Sequence, residues 1–424
     1  MGNELNIPDT WTSILLKDLC EQRTDTLLPA ENEHLPYVGL EHIDSGNPVL
    51  SRHGYFSEVR STKTCFQKNE ILYGKLRPYL DKAVLADIDG VCSTDILVFR
   101  ANLNHVIPEF LIHLFHIPEF LTHAINTTSG VNHPRTSWSS LNKLEVPLPP
   151  LPEQKAIAEV LRTVQRAKEA TEKVIAATRQ LKASLMKHLF TYGPVPFDQA
   201  DKVPLKETEA GWIPEHWEVT TLGSIAAEGG GSIQTGPFGS LLKASSYVAY
   251  GIPFVMPKNL TANAKIDRHG IAEISEKDSK RLERYRLKTG DLLVGRRGEL
   301  GRRGLVTDVE DGWVCGSGCL RVRCGTLLDV LFLSYSFEEK FIREWLSLNA
   351  IGTTMANLST EILSRLPLKV PPVAEQSQIA DILQNIDCKQ TAEERKAKSQ
   401  TILFNSLLSR LMTGQLRVGD NVCH

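Results

Sequence analysis

Two arginine pairs framed by glycine, Gly295-Arg296-Arg297-Gly298 and Gly301-Arg302-Arg303-Gly304, carry the plainest chemistry in this sequence. They close a stretch from Lys277 to Arg303 in which ten Lys/Arg stand against four Asp/Glu. A planar guanidinium grips a phosphate through two parallel hydrogen bonds and also fits the O6/N7 edge of guanine. Flanking glycines let the backbone approach such a ligand closely. A second basic stretch, Arg60 to Lys82, has six basic residues against two acidic ones and contains Lys75, Arg77 and Lys82. One charge run alone reads as a solvated face. Two runs at matching places in the chain leave a solvated face and a polyanion-binding face equally open. Gln234-Thr235-Gly236-Pro237-Phe238-Gly239-Ser240 is a weaker candidate. Gln234 and Thr235 are of types that read base edges, but the run follows Gly229-Gly230-Gly231 and also reads as an ordinary glycine-rich turn.

The sequence holds no enzyme signature to set beside these. It has no GxxxxGK[ST] loop and no HExxH. It also lacks the Asp/Asn-Pro-Pro-aromatic run of an amino-methylating enzyme. Glu153-Gln154-Lys155 imitates the Glu-x-Lys end of a nuclease site, but its repeat mate is Glu375-Gln376-Ser377, so a helix-start role accounts for both copies. Cys315, Cys319 and Cys324 invite a zinc reading. Their spacing and the lack of a second ligand pair favour small apolar residues on a strand. His113, His116 and His123 fit helix spacing rather than a metal set, so no metal is expected. Eight cysteines without a CxxC pair, and no leader segment, point to a reduced cytoplasmic compartment. No apolar run is long enough to span a membrane. The net charge of −2 gives no whole-molecule sign of a polyanionic partner, though an average hides local patches.

These residues sit in a chain of 424 residues that is written twice. Glu153-Gln154, Ile157-Ala158 and Leu161 return 222 positions later as Glu375-Gln376, Ile379-Ala380 and Leu383. The match extends from Gly130/Gly352, Leu141/Leu363 and Pro149-Pro150/Pro371-Pro372 down to Thr191/Thr413. Short strand candidates such as Ile71-Leu72-Tyr73 and Leu292-Leu293-Val294 recur before each repeat, and Ile7-Pro8 before Trp11 resembles Ile213-Pro214 before Trp217. The expected class is α+β: two α/β globular domains in pseudo-twofold repeat, separated by two long antiparallel helices. The expected boundaries are a globular domain over 1–148, a long helix over 149–193, a connector over 194–212, a second globular domain over 213–370, a second long helix over 371–417 and a tail over 418–424. Prolines before Glu153 suit a first helical turn. A heptad seam, weak at its threonines, is expected through Ile157, Val160, Val164, Ala167, Thr171, Val174, Thr178, Leu181 and Leu185 in the first helix, and through Ile379, Ile382, Ile386, Leu403 and Leu407 in the second. In that register the second helix has a polar centre: Lys389, Glu393, Lys396 and Gln400. Pairing of the two helices competes with homodimerisation through them.

The duplicated Pro-Pro, Glu-Gln, Ile-Ala, Leu helix start resembles the specificity (S) subunit of type I restriction–modification systems. VPLPPLPEQKAIAEVL and LPLKVPPVAEQSQIADIL look like its two repeated regions, and ILYGKLRPYL and IQTGPFGS look like segments of its target-recognition domains. The resemblance covers nearly the whole chain. It implies a non-catalytic subunit that reads an asymmetric, bipartite site on double-stranded DNA. It further implies docking of two methyltransferase subunits, which use S-adenosylmethionine on adenine, and of ATP- and Mg2+-dependent restriction subunits. No cofactor is then expected on this chain itself. The DNA contacts expected are Lys75, Arg77 and Lys82 in the first domain, and Arg296, Arg297, Arg302 and Arg303, with Gln234 and Thr235, in the second. A structural adaptor presenting two protein-binding modules on a helical ruler is the alternative.

Overall fold

A computed structural model describes residues 8–28, 34–238, 241–297, 300–350 and 357–418. Ile7, Gly239, Ser240, Gly298 and Gly352, named above, lie outside it. The chain divides into two compact units, Met1–Lys173 with Glu393–His424, and Val174–Ala392. Each contains a mixed-sheet globular part and a portion of both long helices, Leu151–Tyr192 and Val373–Met412.

In the first unit an antiparallel sheet runs Cys20–Arg23, Ile96–Ala101, Ile71–Gly74, Ala83–Leu85. In the second the same order is built by Ser232–Thr235, Cys319–Arg323, Asp291–Gly295 and Arg303–Leu305. The central strands Ile71–Gly74 and Asp291–Gly295 are buried along their whole length, which is why they read as apolar runs without alternation. A second sheet in each unit holds one parallel pair, Tyr37 beside Val91 and Phe254 beside Val314. Paired helices follow in each: Pro108–Leu114 and Pro118–Asn126, then Val330–Ser336 and Lys340–Asn349.

The repeated Glu-Gln dipeptide has a definite physical task. Glu153 Oε2 accepts the Trp11 indole N–H at 3.0 Å, and Glu375 Oε2 accepts that of Trp217 at 2.9 Å. Gln154 is fully buried, accepts the Ile107 backbone N–H at 3.0 Å and donates to His105 O at 2.8 Å and Pro149 O at 2.9 Å. Gln376 repeats this with Asp329, Leu327 and Pro371 at 2.8, 3.1 and 2.9 Å. Each buried amide thus satisfies both its donors and its acceptor, as burial requires. In doing so it bolts the start of a long helix to the loop ahead of a globular helix. The helices end at glycines, Gly193 at φ 80° and Gly414 at φ 74°, the left-handed conformation in which a glycine closes a helix without strain.

Within each unit the start of one long helix packs beside the end of the other, an antiparallel arrangement. In the first unit Ile157 and Leu161 share a core with Phe404, Leu408 and Leu411; in the second Leu189 and Phe190 share one with Ile379 and Leu383. Four positions correct the expected seam: Val174 is 38% exposed, Leu181 44% and Leu403 49%, and Ala167 is exposed too. Val160, Val164, Leu185, Ile382 and Leu407 are half-buried margins of the cores, as is Ile386 of its own surroundings. The buried line of the first helix keeps Ile157, Thr171 and Thr178 of that seam and adds Leu161, Gln165, Ile175 and Leu189. The line spaced by seven from Ile157 stays buried at Thr171 and Thr178, whereas the line through Val174 and Leu181 is exposed, and Leu161 and Ile175, one residue further on, take its place. Thr171 and Thr178 tolerate burial because their hydroxyls donate to the carbonyls of Ala167 and Val174 at 3.0 and 2.8 Å. The polar centre of the second helix is partly buried, with an oxygen of Glu393 and of Gln400 shielded from solvent. Among the described residues no helix is long and apolar enough to cross a membrane.

Candidate nucleic-acid interface

The basic residues cluster on the turn that follows each central strand. In the first unit this turn is Lys75 to Lys82, and a second loop closes onto it. Thr136 N donates to Lys75 O at 3.1 Å and Arg77 N donates to Pro134 O at 2.8 Å. Arg77 stands exposed at φ 54° and ψ 65°, a left-handed conformation that costs a non-glycine residue about 1–2 kcal/mol and is held here by those backbone bonds. Tyr79, beside it, is 57% exposed. Lys75 is half-buried, and Lys82 is spent locally, its Nζ donating to Leu40 O at 2.5 Å.

Sequence reasoning missed Arg135 on the closing loop. Its guanidinium forks onto Asp95 at 2.9 and 3.3 Å. That hydrogen bond, with the nearby charges of Arg135 itself and of Lys75, holds the Asp95 carboxyl below its ordinary range despite burial. Arg135 lies far from Lys75 in sequence, and only the closing loop ties them together.

The second unit repeats the device. Arg297 is exposed and its backbone bridges to Asn357, as Leu76 bridges to Arg135. Arg296 is half-buried; its Nε donates to Leu358 O at 2.9 Å and its Nη1 to Thr235 Oγ1 at 3.0 Å. The structure therefore brings Thr235 and Arg296 together. Gln234 is half-buried on the same strand as Thr235, and Phe238 after it is 63% exposed. Arg302 is exposed and makes further interactions within the molecule.

Arg303 is a correction. It is 3% exposed, with Nε donating to Ser334 Oγ at 2.9 Å and Nη2 to Glu338 Oε1 at 2.5 Å. It begins the strand Arg303–Leu305, where alternation turns adjacent side chains to opposite faces. Arg302 therefore meets solvent while Arg303 enters the interior.

Cys315, Cys319 and Cys324 are buried thiols, and burial pushes Cys315 and Cys324 up to about 12. No group of three or more metal-ligating side chains occurs among the described residues.

The sequence profile of the type I restriction modification DNA specificity domain matches residues 8–178 and again 214–402. The MjaVIII specificity subunit of a type I restriction enzyme of Methanocaldococcus jannaschii is 24% identical over 433 aligned residues, covering 98% of this chain and 95% of that one. The EcoDI specificity subunit of Escherichia coli is 26% identical over 38% of this chain and 35% of its own. Among solved structures, the S subunit of a type I restriction-modification system from M. genitalium superposes with a TM-score of 0.62 at 17% identity, covering 97% and 98% of the two chains. A chain from a study of complex assembly in the type I R-M system gives 0.51 at 21% identity, covering 97% and 100%. Two specificity domains of mixed helix and sheet, with a long helix between them, are the architecture these share with the present chain. The chain belongs to the type I restriction–modification DNA specificity family, whose members recognise DNA and leave catalysis to other subunits.

Proposed function

We propose that each unit reads one half of a split site on double-stranded DNA, and that the two halves differ in sequence. The observation that carries this is the duplicated turn: Lys75 and Arg77 in one unit and Arg296 and Arg297 in the other, each locked by backbone bonds to a second loop. The turns share a backbone plan but differ in side chains, so a palindrome is not expected. The exposed Arg77, Arg297 and Arg302 are assigned to phosphates and guanine edges, and the Thr235–Arg296 pair to positioning at a base edge. The long helices set the gap between half-sites and dock two methyltransferase subunits, which bring S-adenosylmethionine. ATP- and Mg2+-dependent restriction subunits join this cytoplasmic complex. This chain supplies recognition and binds no cofactor.

The test is the salt dependence of DNA binding by the assembled complex. Arg297→Gln is expected to lower the slope of log K against log salt by about one and to relax discrimination in one half-site only. Binding that ignores salt in the unsubstituted complex would favour the adaptor reading instead.

A further inference from the structure

The second unit contains a cavity of about 770 Å³ that the DNA-reading turn only borders. Eight of its lining side chains are Lys or Arg and two are carboxylates. Three of the cations form its floor and are already neutralised. Lys182 Nζ lies 2.9 Å from Glu338 and 2.8 Å from Asp387, Arg303 pairs with Glu338, and Lys369 Nζ donates to Glu339 at 2.6 Å. The rim is different. Lys187 on the first long helix and Arg343 on Lys340–Asn349 are exposed; Lys340 has 85% of its side chain in solvent, with only a solvent-exposed contact of its Nζ to Glu344 at 3.5 Å. Glu339 is the N-cap of that ten-residue helix but makes no capping bond with its side chain, having given its carboxylate to Lys369. The first-turn N–H groups beside Lys340 and Phe341 therefore add to the positive potential of the rim.

The first unit does not repeat this chemistry. The repeat offset places Phe404 where Lys182 stands, Ser409 for Lys187, Leu121 for Arg343, Pro118 for Lys340 and Pro147 for Lys369.

We propose that this basin grips backbone phosphates of the DNA flanking the half-site read by the second unit, giving that unit a sequence-independent hold that the first lacks. The inference rests on the DNA reading above. DNA is favoured over an acidic protein face because Leu300, Gly301 and Arg302 belong to both the basin wall and the turn that carries Arg296 and Arg297. The cations come from separate segments rather than converging on one point, which suits a string of phosphates.

The experiment measures Kd against salt for the full chain assembled with its methyltransferase subunits, on DNA carrying the mapped site. Lys187→Gln with Arg343→Gln is expected to lower the salt slope by about two, with the recognised motif unchanged. The charge-conserving pair Lys187→Arg and Arg343→Lys keeps the slope, which separates lost charge from lost folding. An unchanged slope in the glutamine double variant overturns the proposal, as does weakened methyltransferase association with DNA binding intact, since the basin would then serve a protein. Absence of salt-dependent DNA binding in the unsubstituted complex is a different failure, that of the DNA reading itself.

Discussion

The helices Pro108–Leu114 and Val330–Ser336 occupy the same place in their units, 222 residues apart, and each meets the long helices of its own unit. In the second unit the meeting point is charged. The Tyr335 hydroxyl donates to Asp387 at 2.9 Å, Asp387 pairs with Lys182, Lys182 with Glu338, and Glu338 with Arg303. In the first unit the offset gives His113, Gln165, Phe404 and His116 at the first four positions. There the His113 ring lies 6.2 Å from Phe404, and Nδ1 of His113 and Oε1 of Gln165 are buried without a hydrogen-bond partner. His116 turns to Asp81 at 2.8 Å and to Ala83 O at 3.1 Å, and Ala83 holds the strand position that Arg303 holds in the second unit. The Glu339–Lys369 pair likewise becomes Ile117 and Pro147.

The difference teaches where a duplicated frame can diverge. The Trp–Glu and Gln–backbone clasps are the same in both copies because each partner is a main-chain group or an indole fixed by the fold. The side-chain interior changed as a set. Removing one member of a buried ion pair costs several kcal/mol, whereas exchanging the whole pair for apolar residues is often neutral.

The largest expected effect breaks one such set. Glu339→Ile, which leaves Lys369 buried beside Phe190 O, is expected to lower stability by about 3–5 kcal/mol. Adding Lys369→Leu, and so approaching the first unit's chemistry, should recover most of that. Urea midpoints of the two variants measure it, and a double variant no better than the single one would break the comparison.

The frame makes the opposite claim. Gln154→Ala and Gln376→Ala each remove three hydrogen bonds to the backbone, one buried and two part-buried, and each should cost about 3 kcal/mol. Hydrogen exchange at Ile107 and Asp329 would show whether the two losses are equal. A loss confined to one unit would mean that the clasp is structural in only one copy.

A third, smaller effect is pH-dependent and belongs to the first unit. Burial, reinforced by the neighbouring His116, lowers His113 from 6.5 to about 3, so it is neutral when folded. The unfolded chain takes up its proton first, and stability should therefore fall as pH drops below about 6.5, by up to about 1.4 kcal/mol per unit until about 3. Tyr335, its counterpart, carries no charge at either end of that window. Protection of the amides across Pro108–Leu114, corrected for the slower intrinsic exchange at lower pH, should fall between pH 7 and 5 while that across Val330–Ser336 should not, and His113→Phe should flatten the response.

The fold class was legible because the frame contacts reuse the same residue types at one offset, so Glu-Gln, Pro-Pro and the terminal leucines and threonines announce themselves. The helix seam was legible in one of its two lines, since Thr171 and Thr178 are buried in the expected register, but not in the other, because apolar residues stand at both Val160 and Leu161 and at both Val174 and Ile175 and only packing selects the second of each pair. Of the basic turns, Arg77 and Arg297 stand exposed where their sequence neighbourhood put them. A doublet such as Arg302-Arg303 hides which member faces inward until the strand is placed. Arg135 and the Lys182–Asp387 pair needed tertiary structure, since their partners lie 40 and 205 residues away.

The most direct test of the central claim is a genome-wide map of modified adenines in cells expressing this chain with its methyltransferase. One split motif is expected, with two halves that differ in sequence and are separated by a fixed gap. A palindromic motif, or no modification by a methyltransferase shown to be active and bound to this chain, would contradict it.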